Sequence, residues 1–301
     1  MASKEFASIR HLYATTRQND AEVTLAEQRA AAEHFSDLAV EPQGLDYRYD
    51  RADGVRVLVV TPDGADPRCV IEYLHGGGYQ KCSVESHRRM VGHIANAAGV
   101  AAVSVDYRLT PEHRHPAQVE DSLTVYRWLL GGGYAPDQVV IAGDSAGGGL
   151  ALGTALALKD AGLPLPAALV AISPWTDLTL SGDSMRSRAH TDLGVREPYL
   201  VQTRDDFVTA EQRGDPRASP LAGDLAGLPP AYLMAGDDEI LRDDAIRFGM
   251  KAGAAGVDVT FDIVPEMQHV MTKAVGAMPE SDAAVERIGM FIRRQLSIHD
   301  Q

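Results

Sequence analysis

Apolar runs of β-type residues alternate with helical patterns along most of the chain. Several of the runs are almost entirely apolar, as is typical of strands that a sheet buries on both faces. The alternation predicts an α/β fold, with a mostly parallel central sheet of about eight strands and helices on both faces. The predicted strands are Leu45–Tyr49, Val55–Thr61, Cys69–Leu74, Ala101–Val105, Gln138–Ala142, Ala168–Ile172, Ala231–Ala235 and Val259–Val264.

Helices are predicted between these strands, with glycine and proline marking several of their ends. Thr24 is a candidate N-cap for the first of them, and Asp243 is a candidate N-cap for the helix that follows Ala231–Ala235. The predicted helices are Thr24–Phe35, His87–Ala98, Gln118–Leu130, Ala146–Ala161, Asp243–Ala255 and Ser281–Leu296.

Two segments depart from the alternation. Residues 1–44 are helical and precede the first strand, and residues 179–216 are polar and lie between two strands. Because insertions in such folds collect at the functional face, both segments are predicted to form a helical cap, with a surface arm and loops as the alternative. The α/β core is then divided into residues 45–178 and 217–301.

Composition narrows the classes of partner. The 301 residues include 42 acidic and 28 basic side chains, and a formal charge of −14 disfavours nucleic acid and anionic membranes. No apolar run approaches the ~20 residues that span a bilayer, and Met1–Phe6 has no apolar signal region. Cys69 and Cys82 are too few for a disulfide framework, which fits a cytoplasmic protein.

The strongest chemical motif lies at the end of the strand around residues 138–142. A β-branched run leads into Gly143-Asp144-Ser145-Ala146-Gly147 and then into a helix, the context of a nucleophile elbow. The glycines allow the strand and helix to approach closely, and the helix N-terminus favours developing negative charge. A nucleotide-binding turn is excluded because neither a Gly-x-Gly-x-x-Gly nor a Walker pattern is present.

A second motif, His75-Gly76-Gly77-Gly78-Tyr79, directly follows the strand Cys69–Leu74. Successive glycines allow backbone N–H groups to converge on an oxyanion, although a flexible loop is the alternative when the motif stands alone. His75 is predicted to orient this loop by hydrogen bonding. His75 and Tyr79 are also predicted to contribute to the substrate-binding region.

A reactive serine needs an imidazole to accept its proton and a carboxylate to orient the imidazole. His190, His269 and His299 follow Ser145, and His269 is favoured because it lies in a loop after a strand. The acid is expected after Ala231–Ala235, in Gly236-Asp237-Asp238-Glu239. Asp238 is the predicted acid, with Asp237 and Glu239 interpreted as solvated. The histidine spacing predicts no metal site.

With these motifs the chain resembles the bacterial hormone-sensitive-lipase-like esterases of the α/β-hydrolase fold, in the group with a Gly-Asp-Ser-Ala-Gly elbow. The similarity extends over residues 45–295. Further blocks that carry it are Asp106–His113, Val119–Asp121, Ser173–Leu178, Ala218–Leu221 and Gly227–Pro230.

The resemblance implies a catalytic triad of Ser145, Asp238 and His269. It also implies an oxyanion hole formed by the N–H groups of Gly77, Gly78 and Ala146, with Gly76 left open as a further donor. The resemblance implies no cofactor, and it implies a homodimer.

The predicted function is that of a serine carboxylesterase which hydrolyses short-chain acyl esters or small lactones through an acyl-enzyme. Two alternatives share the fold. One is an acyltransferase that uses the same acyl-enzyme, and the other is a non-catalytic receptor for a small ligand.

Overall fold

An eight-stranded, mostly parallel sheet organises the chain. The structure is a computed structural model that describes residues 3–16 and 23–298, with only the backbone of residues 11–16. The strands are β1 Leu45–Ala52, β2 Val55–Pro62, β3 Asp66–Leu74, β4 Val100–Val105, β5 Val139–Asp144, β6 Ala168–Ile172, β7 Ala231–Gly236 and β8 Val259–Val264. Their order in the sheet is β1-β2-β4-β3-β5-β6-β7-β8. The strand β2 pairs antiparallel with β1 and β4, and all other pairs are parallel.

All the predicted strands and helices are confirmed, most of them within a few residues of their predicted ends. The α-helices are α1 Lys4–Thr16, α2 Leu25–Ala32, α3 Val84–Ala98, α4 Ala117–Gly131, α5 Ala146–Asp160, α6 Ser184–Ser187, α7 Glu197–Phe207, α8 Arg242–Ala254 and α9 Pro279–Gln295. Short 3₁₀ helices span Glu33–Leu38, Pro136–Gln138, Glu211–Gly214, Pro220–Ala222 and Met271–Ala274.

The helix caps agree with the prediction at one of the two sites. Thr24 caps α2 in a capping box with Glu27. The prediction that Asp243 is the N-cap of α8 was wrong, because that helix begins at Arg242 and Asp243 lies within its first turn. There its carboxylate accepts a hydrogen bond from the Ser184 N–H instead.

Two apolar layers enclose the sheet. The layer that contains α4, α5 and α8 packs on one face, and α3 and α9 pack on the other. Close packing of the second layer depends on Gly289 in α9, since a Cβ there would lie 2.5 Å from the Ala97 carbonyl oxygen.

Segments 3–44 and 179–216 both reach the loops that follow the central strands. Arg29 of α2 donates hydrogen bonds to the carbonyl oxygens of Gln80 and Thr110, at 2.8 Å each. The Gln80 side chain in turn donates to Asp206 of α7 at 2.6 Å. This arrangement is what a cap requires, and the division of the chain into cap and core stays a prediction. No helix in the described ranges is long and apolar enough to cross a membrane.

A carboxyl group lies in the middle of the sheet. Glu72 of β3 is fully buried, and it accepts a 2.6 Å hydrogen bond from the Ser122 hydroxyl, which Thr154 supports at 3.0 Å. Burial raises the pKa of Glu72 to about 8. The folded chain therefore holds a proton on Glu72 at pH values where an unfolded chain has lost it.

This proton predicts a pH dependence of stability. The pKa of Glu72 is raised on folding. Its stabilising contribution to the free energy of unfolding is therefore fully present below the unfolded pKa of 4.5, and it declines as the pH rises towards about 8. We expect Glu72→Gln to lose less stability than the wild type between pH 5 and pH 8. The difference should be on the order of 1 kcal/mol per pH unit.

Urea unfolding at several pH values measures this, with the exposed Glu197→Gln as the matched control. Parallel pH profiles for Glu72→Gln and the wild type would contradict a protonated Glu72.

Candidate active site

The turn between β5 and α5 places Ser145 in a strained conformation. Its backbone has φ 53° and ψ −121°, a conformation that a residue other than glycine adopts only where the surrounding structure enforces it. The surrounding backbone is closely packed around this turn. A Cβ on Gly147 would lie 2.0 Å from the Leu74 carbonyl oxygen, and a Cβ on Gly143 would lie 2.3 Å from the Gly147 carbonyl oxygen. The two glycines therefore bring β3, β5 and α5 together, and the Ser145 hydroxyl projects at the strand ends.

His269 reaches this hydroxyl from the loop after β8. Its Nε2 lies 2.9 Å from the Ser145 Oγ, and its Nδ1 lies 2.5 Å from the Glu239 Oε2. A neutral imidazole that donates from Nδ1 to the carboxylate presents its Nε2 lone pair to the serine. The structure thus brings together Ser145 and His269, as the sequence predicted.

The carboxylate is that of Glu239, and the expectation that Asp238 contacts His269 was wrong. The Asp238 N–H donates to the Met267 carbonyl at 3.0 Å, and its side chain lies half-buried at a cleft beside Ser3 and Glu266. The turn carries the next residue inward instead, and Glu239 is fully buried rather than solvated. The apolar pair Ile240-Leu241 that follows Glu239 is the sequence signal that could have indicated its burial.

Three groups hold the Glu239 carboxylate in place. Besides His269, its Oε1 accepts hydrogen bonds from the Ser173 hydroxyl at 2.9 Å and from the Gly236 N–H at 2.5 Å. Ser173 also accepts from the Val270 N–H at 3.0 Å, which ties the loop of His269 to the same point. Sequence reasoning did not identify Ser173.

The pKa of His269 reflects two opposing effects. Burial lowers it, but the charge and hydrogen bond of Glu239, together with the charges of Asp192 and Asp144, outweigh burial and raise it above 6.5. The site therefore stabilises an imidazolium once the imidazole has taken up a proton.

The glycine loop supplies N–H groups beside Ser145. Gly77 and Gly78 have φ values of 108° and 65°, and their N–H groups have no acceptor among the described residues. Ala146 is the first residue of α5, so its N–H has no intrahelical acceptor. Gly76 differs, because its N–H donates to the Asp144 carboxylate at 3.0 Å. The open alternative that Gly76 is a further oxyanion donor is thereby disfavoured.

The two side chains that flank the glycines support the loop from behind. His75 and Tyr79 are buried, and the expectation that they contribute to substrate binding stays a prediction. His75 stacks on Tyr107 at 4.2 Å, and its Nδ1 lies 2.7 Å from the Gly76 carbonyl oxygen, as an orienter of the loop would. Burial lowers the pKa of His75 to about 4, so its ring is neutral. Tyr79 stacks on Phe207 of α7 at 3.8 Å.

The glycine loop also contacts a buried carboxylate, that of Asp144, which directly precedes Ser145 in the chain. Asp144 accepts hydrogen bonds from Gly76 N–H and the Tyr73 hydroxyl, each at 3.0 Å, and His87 Nε2 lies 3.3 Å away. Burial would raise the pKa of Asp144, but the charge and hydrogen bond of His87 outweigh it and keep the pKa below its ordinary value. His87 was not singled out from the sequence.

The other histidines considered from the sequence do not complete this site. His190 is exposed in the 179–216 segment, and His299 lies outside the described residues. Among the residues that the structure describes, no group of three or more His, Cys, Asp or Glu side chains is arranged to hold a metal ion.

Comparison with known proteins identifies the family to which this fold belongs. A family model described as the alpha/beta hydrolase fold matches residues 71–273. The chain belongs to the α/β-hydrolase family. The hydrolase is 39% identical to an acetyl-hydrolase of Streptomyces hygroscopicus over 297 residues, which cover 97% of each chain. It is 36% identical to an esterase of Acinetobacter venetianus, over 74% of each chain.

A crystal structure of an esterase from the bacterial hormone-sensitive lipase family superposes on the hydrolase with a TM-score of 0.94. The two are 36% identical, and the match covers 98% of this chain and 99% of the other. The resemblance to that family is thereby confirmed, and the protein is a carboxylic ester hydrolase. The alternative of a non-catalytic receptor is set aside.

Because Glu239 contacts His269 and Asp238 does not, substitution of these two neighbouring residues should affect activity differently. We expect Glu239→Gln to lower the kcat/KM of the hydrolase for p-nitrophenyl acetate by about 10³-fold, because an amide neither favours the correct imidazole tautomer nor stabilises the imidazolium. Asp238→Asn is the matched control and should stay within about threefold of the wild type, as expected of a surface change. The reverse order of effects would contradict the assignment of Glu239.

Proposed function

We propose that this hydrolase is a serine carboxylesterase for short-chain acyl esters, with a triad of Ser145, His269 and Glu239 and a covalent acyl-enzyme. The observation that carries the proposal is the 2.9 Å contact between the His269 Nε2 and the Ser145 Oγ, with the buried Glu239 on the other ring nitrogen. In a solvent-poor setting, this arrangement can make a hydroxyl nucleophilic at neutral pH.

In the first half-reaction, the Ser145 Oγ attacks the ester carbonyl carbon while His269 takes its proton. The negative charge moves to the former carbonyl oxygen, where the N–H groups of Gly77, Gly78 and Ala146 are proposed to bind it. One such donor is typically worth about 3 kcal/mol in the transition state. Glu239 stabilises the imidazolium, which then protonates the leaving alcohol as the ester C–O bond breaks.

In the second half-reaction, a water molecule replaces the alcohol. His269 accepts a proton from the water as its oxygen attacks the acyl carbon, and the same N–H groups bind the second oxyanion. Collapse of this intermediate returns the proton to the Ser145 Oγ and releases the carboxylic acid. An alcohol in place of water would give acyl transfer, and product analysis with a competing alcohol distinguishes the two outcomes.

The preference for short acyl groups is supported by the helix α7. Its Tyr199 hydroxyl would lie 2.5 Å from a Cβ on Gly78 and lies 3.4 Å from the Gly77 carbonyl oxygen, so the phenol restricts the space above the glycine loop. The 39% identical relative is an acetyl-hydrolase, which removes the smallest of the common acyl groups. Small lactones are cyclic esters that enter the same chemistry. A homodimer and a cytoplasmic location stay predictions.

Ser145→Ala should reduce the turnover of p-nitrophenyl acetate to below about 1% of the wild-type rate, because loss of a nucleophile removes the acyl-enzyme route. A fluorophosphonate should add its mass to the peptide that contains Ser145 in the wild type and not in the variant.

The exposed Ser187→Ala is the control and should retain activity and labelling. Labelling of a different residue, or residual turnover above a few per cent, would overturn the proposal.

The pH profile should report His269. Because the pKa of His269 is raised and the base must be neutral, kcat/KM should fall tenfold per unit as the pH drops below that pKa, with the break above pH 6.5. Glu239→Gln should move the break to lower pH, since it removes the main charge that raises the pKa. A flat wild-type profile between pH 5 and pH 8 would rule out a histidine base.

A further inference from the structure

One short part of the 179–216 segment contacts the residues next to both His269 and Glu239. The Leu193 N–H donates to the Gln268 side-chain oxygen at 2.7 Å, and the Gln268 amide donates to the Thr191 carbonyl at 3.0 Å. Gln268 directly precedes His269 and is 3% exposed. The two hydrogen bonds therefore fix the backbone on one side of the imidazole.

The same segment holds the residue that follows Glu239. The Asp192 Oδ2 accepts a hydrogen bond from the Ile240 N–H at 2.8 Å. Its Oδ1 accepts from the N–H groups of Gly194 and Val195, also at 2.8 Å each. Asp192 is fully buried, and no Lys, Arg or His of the described residues lies within ion-pair distance of it.

A buried carboxylate with no cationic partner is costly to a fold. A turn that needed only to accept from Gly194 and Val195 could use Asn or Ser without that cost. Asp192 offers a second oxygen, which accepts from the Ile240 N–H of the neighbouring loop. Burial raises the pKa of Asp192, and the charge of His269 and the Val195 and Ile240 N–H groups oppose that shift. A carboxylate at this position therefore indicates a role beyond closing the turn. Three acidic groups act on His269: Glu239 from the β7–α8 loop, Asp192 from the 179–216 segment and Asp144 from the end of β5.

Resting on the proposed function, we propose that Asp192 and Gln268 are positioning residues that couple the 179–216 segment to the triad. They hold Glu239 and His269 in line with Ser145, and the Asp192 carboxylate helps to stabilise the imidazolium formed during each half-reaction. Neither residue touches the reacting atoms, so both act through Glu239 and His269.

Two substitutions test the two parts of the proposal. Asp192→Asn removes the charge and replaces one of the two accepting oxygens by an amide nitrogen, so the acid limb of kcat/KM should move to lower pH by about 0.5 to 1 unit, with a fall in kcat. Gln268→Met removes both hydrogen bonds to the segment without changing the charge, so kcat should fall about tenfold with the acid limb unmoved.

Pre-steady-state labelling by a fluorophosphonate gives a second readout that does not depend on product release. Labelling of Ser145 should slow in both variants, because His269 assists the attack in each case. The matched control is Asp183→Asn, an exposed carboxylate of the same segment, which should leave the pH profile and labelling rate at wild-type values.

The proposal is overturned if Asp192→Asn keeps the wild-type acid limb, or if Gln268→Met keeps wild-type kcat. If Asp192→Asn does not fold, Gln268→Met alone decides between positioning and a merely structural turn. Failure of the triad itself would look different, because the wild type would then hydrolyse esters without labelling at Ser145.

Discussion

A buried carboxylate that must be fully hydrogen-bonded is the constraint on which the site depends. Glu239 is out of reach of solvent, and its oxygens are satisfied by the Ser173 hydroxyl, the Gly236 N–H and the His269 ring. These partners come from the end of β6, the end of β7 and the loop after β8. Loss of any of them would leave part of a charged group unpaired in the interior, which costs more than an ordinary hydrogen bond. The same bonds that satisfy the charge therefore fix the geometry of three loops.

The glycines at the elbow solve a complementary problem. The proposed mechanism requires the Ser145 hydroxyl, free N–H groups and the imidazole within a few ångströms, which crowds the ends of neighbouring strands. Gly143 and Gly147 relieve the crowding because backbone atoms occupy the places where their side chains would be. The strain at Ser145 is local, and the buried strand β5 before it and the buried start of α5 after it keep the turn in place.

The order of strands and helices along the chain could be predicted from the sequence, because a strand that is buried on both faces appears as a continuous apolar run. The positions of Ser145 and His269 could be predicted because the glycines of a tight turn flank the serine, and the histidine lies in a loop after a strand. The choice between Asp238 and Glu239 could not, since both are acidic neighbours and only the path of the turn decides which one points inward. The position of the Tyr79 ring could not be predicted for a similar reason. Its positive φ of 61° turns the ring towards Phe207, a partner 128 positions away along the chain.

The most direct test of the account is a crystal structure of the fluorophosphonate adduct, whose tetrahedral phosphorus imitates the reaction intermediate. We predict a bond to the Ser145 Oγ, and a phosphoryl oxygen about 3 Å from the N–H groups of Gly77, Gly78 and Ala146, with His269 still against Glu239. A phosphoryl oxygen turned to solvent, or an imidazole paired with Asp238, would contradict the account.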